Sequence, residues 1–263
     1  MKQKDTETLK QKKLLKNNPF QFTPSVILFP LLFVLVLWIV FWVEHHYQVD
    51  LSHYGIYPRK GFGLKGIILS PFLHGDLEHL FNNSIALFVL LLFLRYFYRE
   101  QSVTVVVVGI LFSGIGTWLI GRPSYHIGIS GLVYALVSFI FFKGIFTKYF
   151  RLVAVSLTVI LLYGGMIWYM FPEVGKNNIS WEGHLFGFLA GFVLSYFLKT
   201  PQFDKAIFYD WESPDFNPEN DPFMKNFDEN GKFAPPPKPE EVIKEYFSSS
   251  IKVIYDFIGS KKE

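Results

Sequence analysis

The sequence has no cysteine, so disulfide bridges and thiolate metal sites are excluded, and cysteine usage says nothing of the redox compartment. Charge is scarce as well: 18% of residues are Asp, Glu, Lys or Arg, the net charge is +3, and the basic residues are spread along the chain. That distribution gives a nucleic-acid partner no support. No internal repeat is present. The head lacks a small-residue cleavage site and is too long ahead of its first apolar tract for a secretory signal peptide, and it lacks the arginine and serine bias of a transit peptide. What remains is apolar. Of 263 residues, 51% are hydrophobic and 19% aromatic, and mean hydropathy is positive, which argues against an ordinary soluble domain of this size.

A bilayer-spanning helix needs about 20 mostly apolar residues. Six tracts reach or approach that length: Ser25 to Val43, Leu77 to Tyr98, Val103 to Ile120, Ile129 to Phe146, Leu152 to Phe171 and His184 to Leu198. The expected fold is therefore an all-α membrane protein with six transmembrane helices. Four segments are expected: a basic cytoplasmic head over 1–24, the six-span domain over 25–199, an acidic and Pro-rich cytoplasmic linker over 200–239, and an amphipathic helix over 240–263. The last is read from Val242, Ile243, Tyr246, Phe247, Ile251, Ile254, Tyr255 and Ile258, which recur at helical spacing. Docking on the bundle or on another protein suits it better than catalysis.

Lys2, Lys4, Lys10, Lys12, Lys13 and Lys16 precede the first span, which by the positive-inside tendency holds the N-terminus in the cytoplasm. Arg95, Arg99, Lys143, Lys148 and Arg151 fall at the next two inner turns, against Arg59, Lys60, Lys65, Arg122 and Lys176 outside, so the bias is partial. Between the first two spans, the loop from Glu44 to Asp76 carries Ile67, Ile68, Leu69, Phe72 and Leu73. It is too apolar for a free linker and is expected to lie in the interface or pack on the bundle.

Polar side chains within spans are costly and should face a bundle interior or a water cavity. His79 and Asn83 lie four apart in the second span, with Asn82 beside them; Ser130 and Tyr134 lie four apart in the fourth; His184 in the sixth is followed by Gly187 and Gly191. Residues four apart share a helix face, and a G-x-x-x-G face lets helices approach closely. With the N-terminus inside, all three sets sit near the outer ends of even-numbered spans, at similar depth. A serine is a weak nucleophile until a base such as neutral imidazole takes its proton. Attack on an amide creates an oxyanion, which an asparagine NH2, a second histidine and backbone N–H groups can stabilise. Gly128 and Gly131 flank the serine and permit backbone conformations and approaches that bulkier residues forbid. Singly, each has a plainer reading: Ser130 as a small packing residue, His184 bonded to a carbonyl, Asn83 as an inter-helix hydrogen-bonder, Tyr134 as core. His45, His46, His53, His74 and His126 lie near span ends or in loops, where solvation is the default.

Three stretches together resemble the rhomboid intramembrane serine proteases: "HLFNN" from His79 to Asn83, "GISGLVYAL" from Gly128 to Leu136, and "GHLFGFLAG" from Gly183 to Gly191. They occur in that family's order on its second, fourth and sixth spans, over roughly Leu51 to Lys199. The resemblance implies an endopeptidase that cuts transmembrane protein substrates near the outer membrane face, in a bacterial inner membrane with both termini cytoplasmic. It implies Ser130 as nucleophile and His184 as general base, a dyad without a carboxylate and without metal or cofactor. His79 and Asn83 would stabilise the oxyanion with the Ser130 N–H, Tyr134 would pack on the His184 ring, and Gly187 and Gly191 would bring the fourth and sixth spans together. The fifth span, with Trp168 and Phe171 at its outer end, corresponds to the family's lateral gate. One departure is the Trp-Arg pair that family members commonly carry about eight residues before the histidine matching His74; Lys65 and Gly66 stand there. The rival class is a catalytically inactive rhomboid-like protein that binds membrane clients; such proteins lose the serine or the histidine, and this chain keeps both. A transporter would need intramembrane carboxylates and broken helices that the spans lack. Oligomeric state is not encoded in any feature of the sequence.

Overall fold

The computed structural model describes residues 20–172, 179–199, 217 and 221–234. Residues 1–19, which hold most of the basic head, Lys176, most of the linker and the whole helix expected over 240–263 lie outside the described residues. The chain divides into two units, Met1–Asp204 and Lys205–Glu263.

Among the described residues of the first unit there are six long helices: α1 Ser25–Tyr47, α2 Leu77–Phe97, α3 Ser102–Ile120, α4 Ser130–Thr147, α5 Phe150–Tyr163 and α6 Trp181–Phe197. A 3-10 segment, Gly164–Met170, continues α5. Among the described residues five helices are long and apolar enough to cross a membrane: α1 to α4, and α5 with its 3-10 extension. The tract expected as a sixth span folds as α6, of 17 residues, about 25 Å long at 1.5 Å per residue. It begins three residues earlier than hydropathy predicts, because Glu182, which ends the apolar tract in sequence, is buried and paired with Arg122.

The core lies between α2, α4 and α5, where Leu87, Leu91, Leu136, Phe139, Ile140 and Val159 are fully buried. Helix α4 is the central element, its residues 132 to 140 buried without a break. Its contact with α6 is made by glycine: a Cβ on Gly187 would fall on the Gly131 carbonyl oxygen, and one on Gly191 on the Ala135 carbonyl oxygen. By contrast, α1 exposes Leu28, Leu31, Leu32, Leu35, Ile39 and Trp42, the surface expected of a helix that faces lipid.

The loop between α1 and α2 packs on the bundle. It carries a near-continuous helical stretch from Gly61 to Phe72 and pairs with the loop before α4 through an isolated bridge between Ile56 and His126. Ile67 lies against Gly114 of α3, where a Cβ would come within 2.9 Å of its side chain. In place of a Trp-Arg pair, Gly66 lets this stretch fold against the backbone of Gly55 and Ile56, while the Lys65 ammonium sits 4.2 Å from the Tyr54 ring centroid. Trp118 of α3 donates its indole N–H to the Lys60 carbonyl at 3.0 Å, and the Arg59 N–H bonds the Trp118 carbonyl at 3.0 Å.

In the second unit, described residues 221–234 form a small turn. Asp228 Oδ1 accepts from the N–H groups of Asn230 and Lys232, each at 2.9 Å. Gly231 adopts φ 73°, the left-handed region that favours glycine, and the rings of Phe223, Phe227 and Phe233 meet edge-on or tilted.

Candidate active site

Helix α2 starts where its side chains can be useful. The Asp76 carboxylate caps it by accepting from the His79 N–H at 2.7 Å, satisfying one of the donors that a helix start leaves unpaired. That start sets His79 and Asn83 on one inward face. Asn83 is buried whereas Asn82 is exposed, which agrees with the four-residue spacing from His79 that favours Asn83 in the sequence.

Gly128 faces this pair. Its φ of 111° is open essentially to glycine alone, and a Cβ there would lie 2.8 Å from His79 Cε1 and 3.9 Å from Asn83 Nδ2. The Gly128 N–H is held by the Ser70 carbonyl at 2.9 Å. Two residues later Ser130 begins α4, and the first bonds back to Ile129 O come from Leu132 N and Val133 N. The amides of Ser130 and Gly131 stand ahead of those bonds, at the positive end of the helix. Asn83 Nδ2 is buried and has no hydrogen-bond partner among the described residues, so an unspent donor stands beside that glycine.

Across the glycine face, His184 Nε2 lies 2.9 Å from Ser130 Oγ. Its other nitrogen, Nδ1, lies 2.9 Å from the Tyr169 carbonyl oxygen. A carbonyl only accepts, so Nδ1 carries the hydrogen, and in the neutral ring Nε2 then presents its lone pair to the serine hydroxyl. The Tyr134 ring stacks on the imidazole, with centroids 4.3 Å apart and planes 15° apart. Its hydroxyl donates to the Met166 carbonyl at 2.6 Å. Both accepting carbonyls belong to the 3-10 segment that follows α5.

The Ser130 side of the site borders a small cavity of about 30 Å³, which is room for one or two water molecules. Ser70, Ser113, Thr117, His126 and Ser180 give it a polar lining.

Four features escape a reading of the sequence. The Tyr169 carbonyl is a backbone group and has no residue signature. Glu182 lies two residues ahead of His184, fully buried, and accepts from the Arg122 N–H at 3.2 Å and from Arg122 Nε at 3.0 Å, whereas the apolar tract read from the sequence begins only at His184. His74, expected to be solvated, is 4% exposed, and neither ring nitrogen has a hydrogen-bond partner among the described residues. It stands edge-on to His79, with centroids 5.1 Å apart. Burial, reinforced by the His79 imidazole, pushes the His74 pKa down to about 4. His126 is buried likewise, which lowers its pKa. His45 and His46, by contrast, are exposed at the end of α1. Among the described residues no cluster of His, Asp and Glu could hold a metal ion.

Comparison with known proteins places this site in a family context. The Rhomboid domain family matches residues 62–201, a stretch that holds every residue named around the Ser130–His184 contact. Uncharacterized proteins of Mycobacterium bovis and Mycobacterium tuberculosis are each 34% identical over 179 residues, spanning 65% of this chain and 75% of the relative. One from Mycobacterium leprae is 31% identical over 179 residues, spanning 65% and 71%.

Proposed function

The chain belongs to the rhomboid family, and from that premise we propose that this integral, multi-pass membrane protein is a serine endopeptidase that cleaves transmembrane protein substrates. The observation that carries the reading is the 2.9 Å approach of Ser130 Oγ to His184 Nε2, with Nδ1 already committed to a carbonyl. The base therefore has its acceptor lone pair aimed at the nucleophile before substrate arrives.

Ser130 Oγ attacks the scissile carbonyl carbon while its proton passes to His184 Nε2. The carbonyl oxygen becomes an oxyanion, and His79, Asn83 Nδ2 and the Ser130 N–H are the donors assigned to it. Collapse of the tetrahedral species breaks the C–N bond, and His184 returns the proton to the leaving amine. Water, deprotonated by the same imidazole, then hydrolyses the acyl-enzyme. The Tyr134 ring limits rotation of the imidazole. The reaction lies near the outer face, the N- and C-termini are cytoplasmic, and substrate enters between α2 and α5, where its helix must unwind locally to expose the bond. A bacterial inner membrane is the assigned location.

The test is cleavage of a membrane-anchored reporter by the full-length protein in liposomes. Wild type is expected to cut and Ser130→Ala to be inert. Equal cleavage by the two, or none by wild type across several reporters, refutes the protease reading and leaves client binding as the function.

A further inference from the structure

The loop between α3 and α4 delivers Ser130, and the start of α6 delivers His184. Four side chains tie these two elements together just ahead of the dyad. Glu182, in the first turn of α6, is fully buried and takes three bonds from Arg122 of the loop: from its N–H at 3.2 Å, from Nε at 3.0 Å and from Nη2 at 3.5 Å. Arg122 also donates to the Ile179 carbonyl. The Arg122 carbonyl in turn lies 3.1 Å from His126 Nε2, and His126 Nδ1 lies 2.7 Å from Ser180 Oγ. Because the carbonyl only accepts, Nε2 carries the hydrogen of the neutral ring, and Nδ1 accepts from Ser180.

The bonds close a circuit: Arg122 to Glu182 by charge, and Arg122 through His126 to Ser180 at the residue before α6. His126 lies four residues before Ser130, and Glu182 two before His184. The Ile56 bridge fixes the backbone of His126 from the other side, with N···O distances of 2.8 and 2.9 Å. A buried carboxylate is costly to desolvate and is commonly replaceable by apolar groups without loss of stability. Its presence here calls for something other than stability alone.

We propose that Glu182 and Arg122 are positioning residues for the proposed dyad: the ion pair of the buried Glu182 with the half-buried Arg122 sets the placement of the Ser130 loop relative to α6 and thereby holds Oγ at bonding distance from His184. This rests on the protease reading, since it assigns the clamp to that reaction. An arginine suits the task better than a lysine, because its planar fork bonds the carboxylate and the Ile179 carbonyl at once. The pair touches neither Ser130 nor His184, so it acts on the rate of the chemical step and leaves probe binding unchanged.

The experiment measures fluorophosphonate modification of Ser130 in the full-length protein in liposomes, resolved into a binding constant and a maximal rate. Thermal unfolding and hydrogen exchange of the 127–131 amides are followed in parallel. Glu182→Gln is expected to lower the maximal rate at least about 10-fold with little change in binding constant, and to speed exchange in 127–131. The double variant Arg122→Met with Glu182→Leu removes the buried charge and refills its space. It is expected to recover the wild-type unfolding temperature and to remain slow. Recovery of the wild-type rate in the double variant would overturn the proposal by showing that the pair serves stability alone. A wild-type rate together with wild-type exchange in Glu182→Gln would overturn it as well. If wild type itself is not modified, the protease reading fails, and the clamp is judged on exchange: faster 127–131 exchange in both variants supports it, and unchanged exchange refutes it.

Discussion

Replacing Gly187 by alanine tests the geometry of the site most directly. The new Cβ would fall on the Gly131 carbonyl oxygen, with Gly131 C at 2.9 Å and Gly131 Cα at 3.2 Å. All three are backbone atoms of α4, so no side chain can swing aside. Non-bonded carbons sit best about 3.5–4.0 Å apart, and relief therefore requires α4 and α6 to part by about 1 Å at this level. Gly131 follows Ser130 directly, and Gly187 lies one turn beyond His184. The same displacement would stretch the 2.9 Å Ser130–His184 contact to about 4 Å, beyond hydrogen-bonding range. A 1 Å misplacement at a reacting pair costs about 100-fold in rate, and overpacking of this kind costs about 1–3 kcal/mol of stability. The assay is the rate of fluorophosphonate modification at Ser130, corrected for the folded fraction and compared with Gly165→Ala, whose new methyl group meets nothing within 4 Å. A folded Gly187→Ala protein that is modified as fast as Gly165→Ala would refute the claim that the glycine face sets the dyad distance.

Three further outcomes are expected. Tyr134→Phe keeps the ring stacked on His184 but deletes the bond to the Met166 carbonyl; it should slow reporter cleavage several-fold, and Tyr134→Leu, which also deletes the stack, should slow it more. His74 is neutral in the fold down to about pH 4, whereas the unfolded chain protonates it below its ordinary 6.5. The unfolded state thus binds more protons between those values, and stability rises with pH across that window. The difference amounts to at most about 3 kcal/mol, so the melting temperature should fall from pH 7 to pH 4 more steeply in wild type than in His74→Gln. Lys143, 3% exposed at the end of α4, donates to the Ser195 carbonyl at 3.1 Å and to the Leu198 carbonyl. Lys143→Met strands both acceptors and should cost about 1–3 kcal/mol in denaturant unfolding.

Apolar length and polar spacing made the bundle and the inward face of α2 legible in the sequence, because both are local properties of a helix. Ser130, Tyr134 and His184 were legible for the same reason: each is a polar residue where hydrocarbon would otherwise be expected. Glu182 was not, because hydropathy assigns a carboxylate to the loop and cannot register that a guanidinium from 60 residues away neutralises it. The resting place of the loop after α1 was open for a related reason. What holds it is a set of backbone approaches at Gly55, Gly63 and Gly66, and glycine in a sequence does not say which neighbour it admits.

The three constraints on the dyad act on different degrees of freedom. Gly187 and Gly191 set the separation of α4 and α6, and the loop before α4 sets where along that interface Ser130 begins. The 3-10 segment after α5 sets the tautomer of His184 through the Tyr169 carbonyl. A serine triad assigns this last task to a carboxylate, which also stabilises the imidazolium by its charge. A carbonyl supplies orientation with only a partial charge, so the proposed mechanism asks more of its oxyanion donors. Asn83 Nδ2, buried beside Gly128 and without a hydrogen-bond partner among the described residues, is the donor that the proposed mechanism would draw on.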